Sequence, residues 1–94
     1  NLPLVAAMIE SGTLLQERFL IETQIGEGGM GAVYSAIDQK FGSRVAIKET
    51  HYLQPQLAEA FEREARLLNS LHHPIFPHVS DHFTENGGHF LVME

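Results

Sequence analysis

Residues 25–34, IGEGGMGAVY, constrain this chain more than any other segment. Gly26, Gly28 and Gly31 stand in the pattern G-x-G-x-x-G, with apolar, alternating stretches on both sides. Lacking Cβ atoms, such a loop lets backbone N–H groups approach an anionic ligand closely. The context decides between scaffolds. In dinucleotide-binding folds the glycines join a strand to a helix, whose N-terminus takes a pyrophosphate. Here residues 32–37, AVYSAI, alternate as a strand does. The loop is therefore expected to be a flap between two strands, with a glycine-rich hairpin lacking any ligand as the plainer alternative.

The rest of the chain supports that setting. Residues 19–25 alternate Phe19, Ile21, Thr23 and Ile25 against Leu20, Glu22 and Gln24, a strand pattern. DQKFGS at 38–43 supplies a turn, and RVAIKET at 44–50 reads as a third strand. Over residues 56–71 the period changes: Leu57, Phe61, Leu68 and Leu71 recur at helical spacing, and Pro74 closes the segment. Strand-like runs at 78–84 and 89–94 then flank ENGG, a hairpin signal. The expected order is β-β-β-α-β-β, an α+β domain with one helix packed on a five-stranded antiparallel sheet.

Composition narrows the function classes. The 94 residues suit one domain, and 44% hydrophobic with 19% charged residues is a globular composition. A net charge of −6 without a Lys/Arg cluster argues against nucleic-acid binding. No cysteine is present, which excludes disulfides and thiol chemistry and is compatible with a cytoplasmic setting. The apolar run at 2–9 is too short to span a bilayer and lacks the basic flank of a signal peptide. Residues 1–11 are read as a short N-terminal extension that packs against something, and residues 12–94 as the domain itself.

Two charged residues complete the pattern. On the strand at 44–50, Ala46 and Lys48 share one face while Val45 and Ile47 take the other. A small residue followed by a long cation suits a flat ring beside an anion, although most lysines simply point into water. On the helix, Phe61, Glu64, Leu68 and Leu71 follow steps of three, four and three, so Glu64 falls within the apolar stripe. Glu59 and Glu62 lie outside it. A carboxylate on a packed face must be protonated or paired, and losing its partner typically costs ~3–5 kcal/mol. Lys48 is the natural partner.

Taken together, the glycine loop, V-A-I-K, the helix glutamate, H-P and FLVME resemble the N-terminal lobe of a protein kinase, in the family's order and spacing from Gly12 to Glu94. GEGGMGAVY and the lead-in GTLLQERFLIETQIG are particularly similar to bacterial Ser/Thr kinases of the eukaryotic-like type. The resemblance implies an ATP site. Gly26, Gly28 and Gly31 would form the flap over the phosphates, within a binding stretch that also includes Glu27, Gly29, Met30 and Ala32. Ile25, Val33 and Ala46 would roof the adenine. Lys48 would hold the α- and β-phosphates, oriented by Glu64. Met93 matches the gatekeeper and Glu94 the first hinge residue, while Leu68 and Val79 match the upper half of the hydrophobic spine.

The sequence departs from the family in telling places. It contains no H-R-D and no D-F-G, and the KFG at 40–42 lacks the aspartate. The catalytic base and both Mg2+ ligands are thus outside these residues. Ile75 stands where the family often has asparagine, and Met30 where many members carry an aromatic residue or serine. The implied function is phosphoryl transfer from ATP to protein Ser/Thr in a longer parent, with the 94 residues alone inactive and binding ATP weakly or not at all. The alternative is a self-standing, non-catalytic interaction or dimerisation module, and self-association is expected through the face a second lobe would cover.

Six histidines invite a metal reading, but His78 and His82 fall in a strand region and His72 and His73 are adjacent, so no metal site is expected. Tyr34 and Tyr52 are read as partly buried aromatics.

Overall fold

Strands form where the sequence alternates. The computed structural model describes residues 9–28, 31–51, 55–70 and 78–94. Its elements are β1 (Leu14–Leu15), β2 (Phe19–Gly28), β3 (Gly31–Asp38), β4 (Ser43–Thr50), α1 (Pro55–Ser70), β5 (Val79–Glu85) and β6 (Gly88–Met93). Paired strands run antiparallel in the spatial order β1-β2-β3-β4-β6-β5. This is the expected α+β architecture, with six strands rather than five. The additional strand, β1, pairs Leu14 with Leu20 and Leu15 with Phe19. Two residues are too few to show a period.

The turns are set by local chemistry. Between β5 and β6 only Asn86 and Gly87 intervene, at φ 51° and 84°, because Glu85 pairs with Gly88. Two successive positive φ values favour Asn-Gly and match the twist of the flanking strands. At the β3–β4 turn Asp38 accepts the Lys40 amide on its carboxylate at 2.9 Å and the Gly42 amide on its carbonyl at 2.7 Å. Pro55 opens α1, where a fixed φ and a missing N–H cost nothing. The helix covers Pro55–Ser70, against an expected 56–71, and Leu71, His72, His73, Pro74 and Ile75 lie outside the described residues.

Alternation divides the sheet into two faces. Leu15, Phe19, Ile21, Ala32, Tyr34, Ala36, Val45, Ile47, Phe90 and Val92 form the main core, with Ile9 and Phe83 packed against it. Tyr34 is fully buried, not partly as its sequence setting suggested; it stands between Ala32 and Ala36, small neighbours that leave room for the ring. Tyr52 lies outside the described residues. The sheet curls until its edges meet: Phe83 of β5 stacks on Phe19 of β2 at 5.8 Å and on Phe90 at 5.0 Å. Glu85 of β5 accepts both the backbone amide and the side-chain amide of Gln16, at 2.9 and 2.8 Å. On the other face, among the described residues, α1 packs on β5 and β6, where Phe61 and Ala65 bury Val79 and Leu91, with Met93 alongside. Asn69 fastens the helix by donating to the Val79 carbonyl at 2.5 Å. No helix among the described residues is long and apolar enough to cross a membrane.

Candidate functional site

Among the described residues α1 packs on β5 and β6, and the same face of β2, β3 and β4 is left open. Directly paired residues share a face, and one such row runs across the sheet: Gly26 opposite Val33, Val33 opposite Lys48, Lys48 opposite Leu91. A second row joins Ser35, Ala46, Met93 and Val79. Lys48 is exposed while Val45, Ile47 and Glu49 are buried, the alternation read from the sequence. The open face thus carries Gly26, Val33, Ala46 and Lys48 towards the helix, bordered by Leu91 and Met93, while at its other end Ser35 and Arg44 both bond to Glu22.

The glycine-loop flanks are shaped for close approach. A Cβ on Gly31 would overlap the Glu49 carbonyl oxygen, so only glycine lets β3 begin this close to β4. Gly28 pairs with Gly31 and Glu27 with Ala32, which makes the loop a hairpin between two strands. Ala32 lies in the main core, so only its backbone is available to a ligand. Register shifts between Ile21 and Thr23 and between Gln24 and Gly26 break the simple alternation of β2. Phe19 and Ile21 are consequently buried, whereas Ile25, expected on their face, is 60% exposed. Gly29 and Met30 fall outside the described residues, as do the side chains of Glu64 and Leu68. Glu94 is exposed, donates its amide to the His78 carbonyl at 3.0 Å and borders a hollow shared with Arg18, Asp38 and Phe41.

Buried Glu49 went unnoticed in the sequence. Its Oε1 accepts the Tyr34 hydroxyl at 3.1 Å, and its Oε2 lies 2.7 Å from His51 Nε2. Counting by twos from Val45 and Ile47 places it on the core face, the reasoning that singled out Glu64. Burial, ahead of the Glu49 carboxylate, pushes the Tyr34 hydroxyl above the ordinary tyrosine range. At the far end of β3, Arg18 donates twice to Asp38, at 2.8 and 2.7 Å, and holds that carboxyl below the usual aspartate range. Arg44 and then Ser35 do the same for Glu22 on the surface. His82 and His89 set their rings 6.3 and 5.2 Å from Phe61.

Comparison with known proteins gives this geometry a context. No family profile matches the chain. It is 44% identical over 85 residues to the serine/threonine-protein kinase pkn2 of Myxococcus xanthus, covering 86% of this chain and 10% of that protein. It is 36% identical over 91 residues to the serine/threonine-protein kinase PknA of Mycobacterium tuberculosis, covering 88% of this chain and 21% of that protein. The chain belongs to the protein kinase superfamily. Solved kinase structures show the same fold as this kinase lobe. The Mycobacterium tuberculosis PknI kinase domain, in a double-mutant form, superposes with a TM-score of 0.83 at 22% identity, over 94% of this chain and 36% of that one. The PpkA-294 apo form gives 0.77 at 28% identity, over 95% and 39%. The kinase lobe thus spans about a tenth to a fifth of the curated relatives described, and its glycine hairpin, its β4 lysine and α1 stand in the order of an N-terminal lobe.

Proposed function

We propose that the open face of β2, β3 and β4 is the N-terminal wall of an ATP site in a Ser/Thr protein kinase. The observation that carries this reading is the row Gly26–Val33–Lys48, one exposed cation beside apolar and side-chain-free positions on the face that α1 leaves bare. Such a donor set fits a polyphosphate attached to a flat ring. In this reading Gly26, Gly28 and Gly31 carry the loop over the phosphates, with Glu27, Gly29, Met30 and the Ala32 backbone completing it. Ile25, Val33 and Ala46 exclude water above the ring. Lys48 binds the α- and β-phosphates and Glu64, on α1, orients it. Met93 and Glu94 close the back of the site as gatekeeper and first hinge residue. Bound ATP would supply the transferable γ-phosphoryl group, and a Ser or Thr hydroxyl of a protein substrate would accept it in a longer, cytoplasmic parent.

Mg2+ in this scheme requires ligands that residues 1–94 do not carry, since neither D-F-G nor H-R-D occurs among them. The 94-residue chain is accordingly proposed to bind ATP weakly and to transfer no phosphate. Incubation with radiolabelled ATP and a generic protein acceptor tests this. No labelled product is expected, and steady product formation that Lys48→Met abolishes would overturn it.

A second reading, a non-catalytic interaction module, is favoured by one feature. Ile25 and Phe41 are 60% and 71% exposed, which leaves apolar surface for a second copy to cover.

A further inference from the structure

The buried hydrogen bonds behind the open face form one chain through several elements. The Ile9 amide donates to the Tyr34 hydroxyl at 3.0 Å. Tyr34 donates to Glu49 Oε1, and Glu49 Oε2 meets His51 Nε2. His51 reaches this carboxylate over Gly88, where a Cβ would lie 3.1 Å from its Nε2. The Glu49 side chain is 4% exposed, and among the described residues Tyr34 and His51 are the side chains recorded bonding to it. A carboxylate this buried is stable only while both oxygens stay satisfied. Its side chain therefore cannot leave the core without a large penalty, and the backbone at Glu49 is fixed accordingly.

That backbone is the part of β4 that meets the glycine loop. Gly31 abuts the Glu49 carbonyl and pairs with Thr50. Lys48 precedes Glu49, and alternation means that a Glu49 side chain locked inward keeps Lys48 directed outward. We propose that Tyr34, Glu49 and His51 are positioning residues, a buried network that registers the Lys48 strand against the last glycine of the loop and ties both to the N-terminal segment at Ile9. The inference rests on the nucleotide-site reading for its functional meaning, but the mechanical linkage can be measured without nucleotide.

The test is amide hydrogen exchange of the 94-residue chain, followed by NMR. Glu49→Ala is compared with Glu49→Gln, whose amide can still accept from Tyr34 and offers both a donor and an acceptor on the His51 side. In Glu49→Ala, protected amides at the 31–34 and 47–50 end of the β3–β4 ladder should exchange roughly tenfold faster, relative to those at the 36–38 and 43–45 end. Glu49→Gln should restore both ends to within about threefold of the parent. Tyr34→Phe keeps the ring and removes only the hydroxyl. It should loosen the same ladder end and the amides of residues 9–13, and it carries the comparison if Glu49→Ala does not fold. Uniform acceleration along the whole ladder, or a Gln variant as loose as the Ala variant, would overturn the proposal. An ATP titration of the parent chain reports separately on the nucleotide site, so either idea can fail alone.

Discussion

Lys48 and Leu91 face each other across the β4–β6 ladder, yet Leu91 is 6% exposed beneath α1 while Lys48 stands in solvent. The helix edge falls between these two residues. On the Leu91 side Phe61 and Ala65 bury Val79 and Leu91, and on the Lys48 side Val33 and Ala46 stay half-buried beside the exposed lysine. A helix that covered one strand more would bury the cation, and one that covered one strand fewer would leave Leu91 bare. This boundary makes Lys48 available for chemistry without a cost to the core.

Lys48→Met should therefore leave the melting temperature almost unchanged, since exposed substitutions are usually within about 0.5 kcal/mol. It should nevertheless weaken ATP binding by roughly tenfold, the loss of one charge-assisted contact of about 1.4 kcal/mol. Paired thermal melts and NMR titrations check both halves.

The two glycine substitutions should separate packing from backbone strain. Gly87 adopts φ 84° with nothing within 4 Å of a new Cβ, so Gly87→Ala should cost about 1–2 kcal/mol for the left-handed conformation alone. At Gly31, where no positive φ is involved, the Cβ overlaps the Glu49 carbonyl and the strands must part. Gly31→Ala should cost about 2 kcal/mol or more and also shift the Lys48 amide resonance, which Gly87→Ala should not. Urea unfolding with heteronuclear spectra distinguishes them.

Asp38 sets an acid limit. Its folded carboxyl is held below the ordinary aspartate range, first by the hydrogen bonds from Arg18, against some opposing desolvation. The sign follows: the stabilisation is fully present above the unfolded-state value of about 3.9 and is lost as pH falls through the lower, folded value. Asp38→Asn should cost about 1–3 kcal/mol at neutral pH, and the gap between variant and parent should narrow below about pH 4. Melting curves between neutral and acid pH test the convergence.

Phe83 closes the curl. Its ring joins β5 to β2 through Phe19, alongside the Gln16–Glu85 hydrogen bonds. Phe83→Ala should cost about 2 kcal/mol, given a half-buried aromatic in two stacks. Exchange at the β1–β2 edge should accelerate along with β5, because that edge is held from the far side of the sheet.

Self-association is expected of a lobe exposing Ile25 and Phe41. Light scattering should show dimers at high micromolar to millimolar concentration, and Ile25→Lys should shift the equilibrium toward monomer. A monomer at every concentration would contradict the interaction-module reading.

Much of the fold was legible because its signals are local. Asn86–Gly87 announces its hairpin, residues 44–50 alternate cleanly, and the switch of period marks α1. What escaped depends on partners distant in sequence. β1 is strand only because Phe19 and Leu20 pair with it. The exposure of Ile25 comes from register shifts that no periodicity encodes. The helix stripe named Phe61 correctly but passed over Ala65, fully buried because its small side chain lets α1 lie close to the sheet. Glu49 was within reach by counting from Ile47, yet its partners Tyr34 and His51 meet it only in the folded sheet.

If the open face is the nucleotide wall, ATP must touch it. The most direct measurement is an NMR titration of the isotope-labelled chain with ATP into the millimolar range. The predicted result is weak binding, with shifts confined to residues 25–33, Ala46, Lys48, Met93 and Glu94 and lost in Lys48→Met. Shifts centred elsewhere, shifts that Lys48→Met leaves unchanged, or tight Mg2+-dependent saturation at micromolar ATP would contradict it.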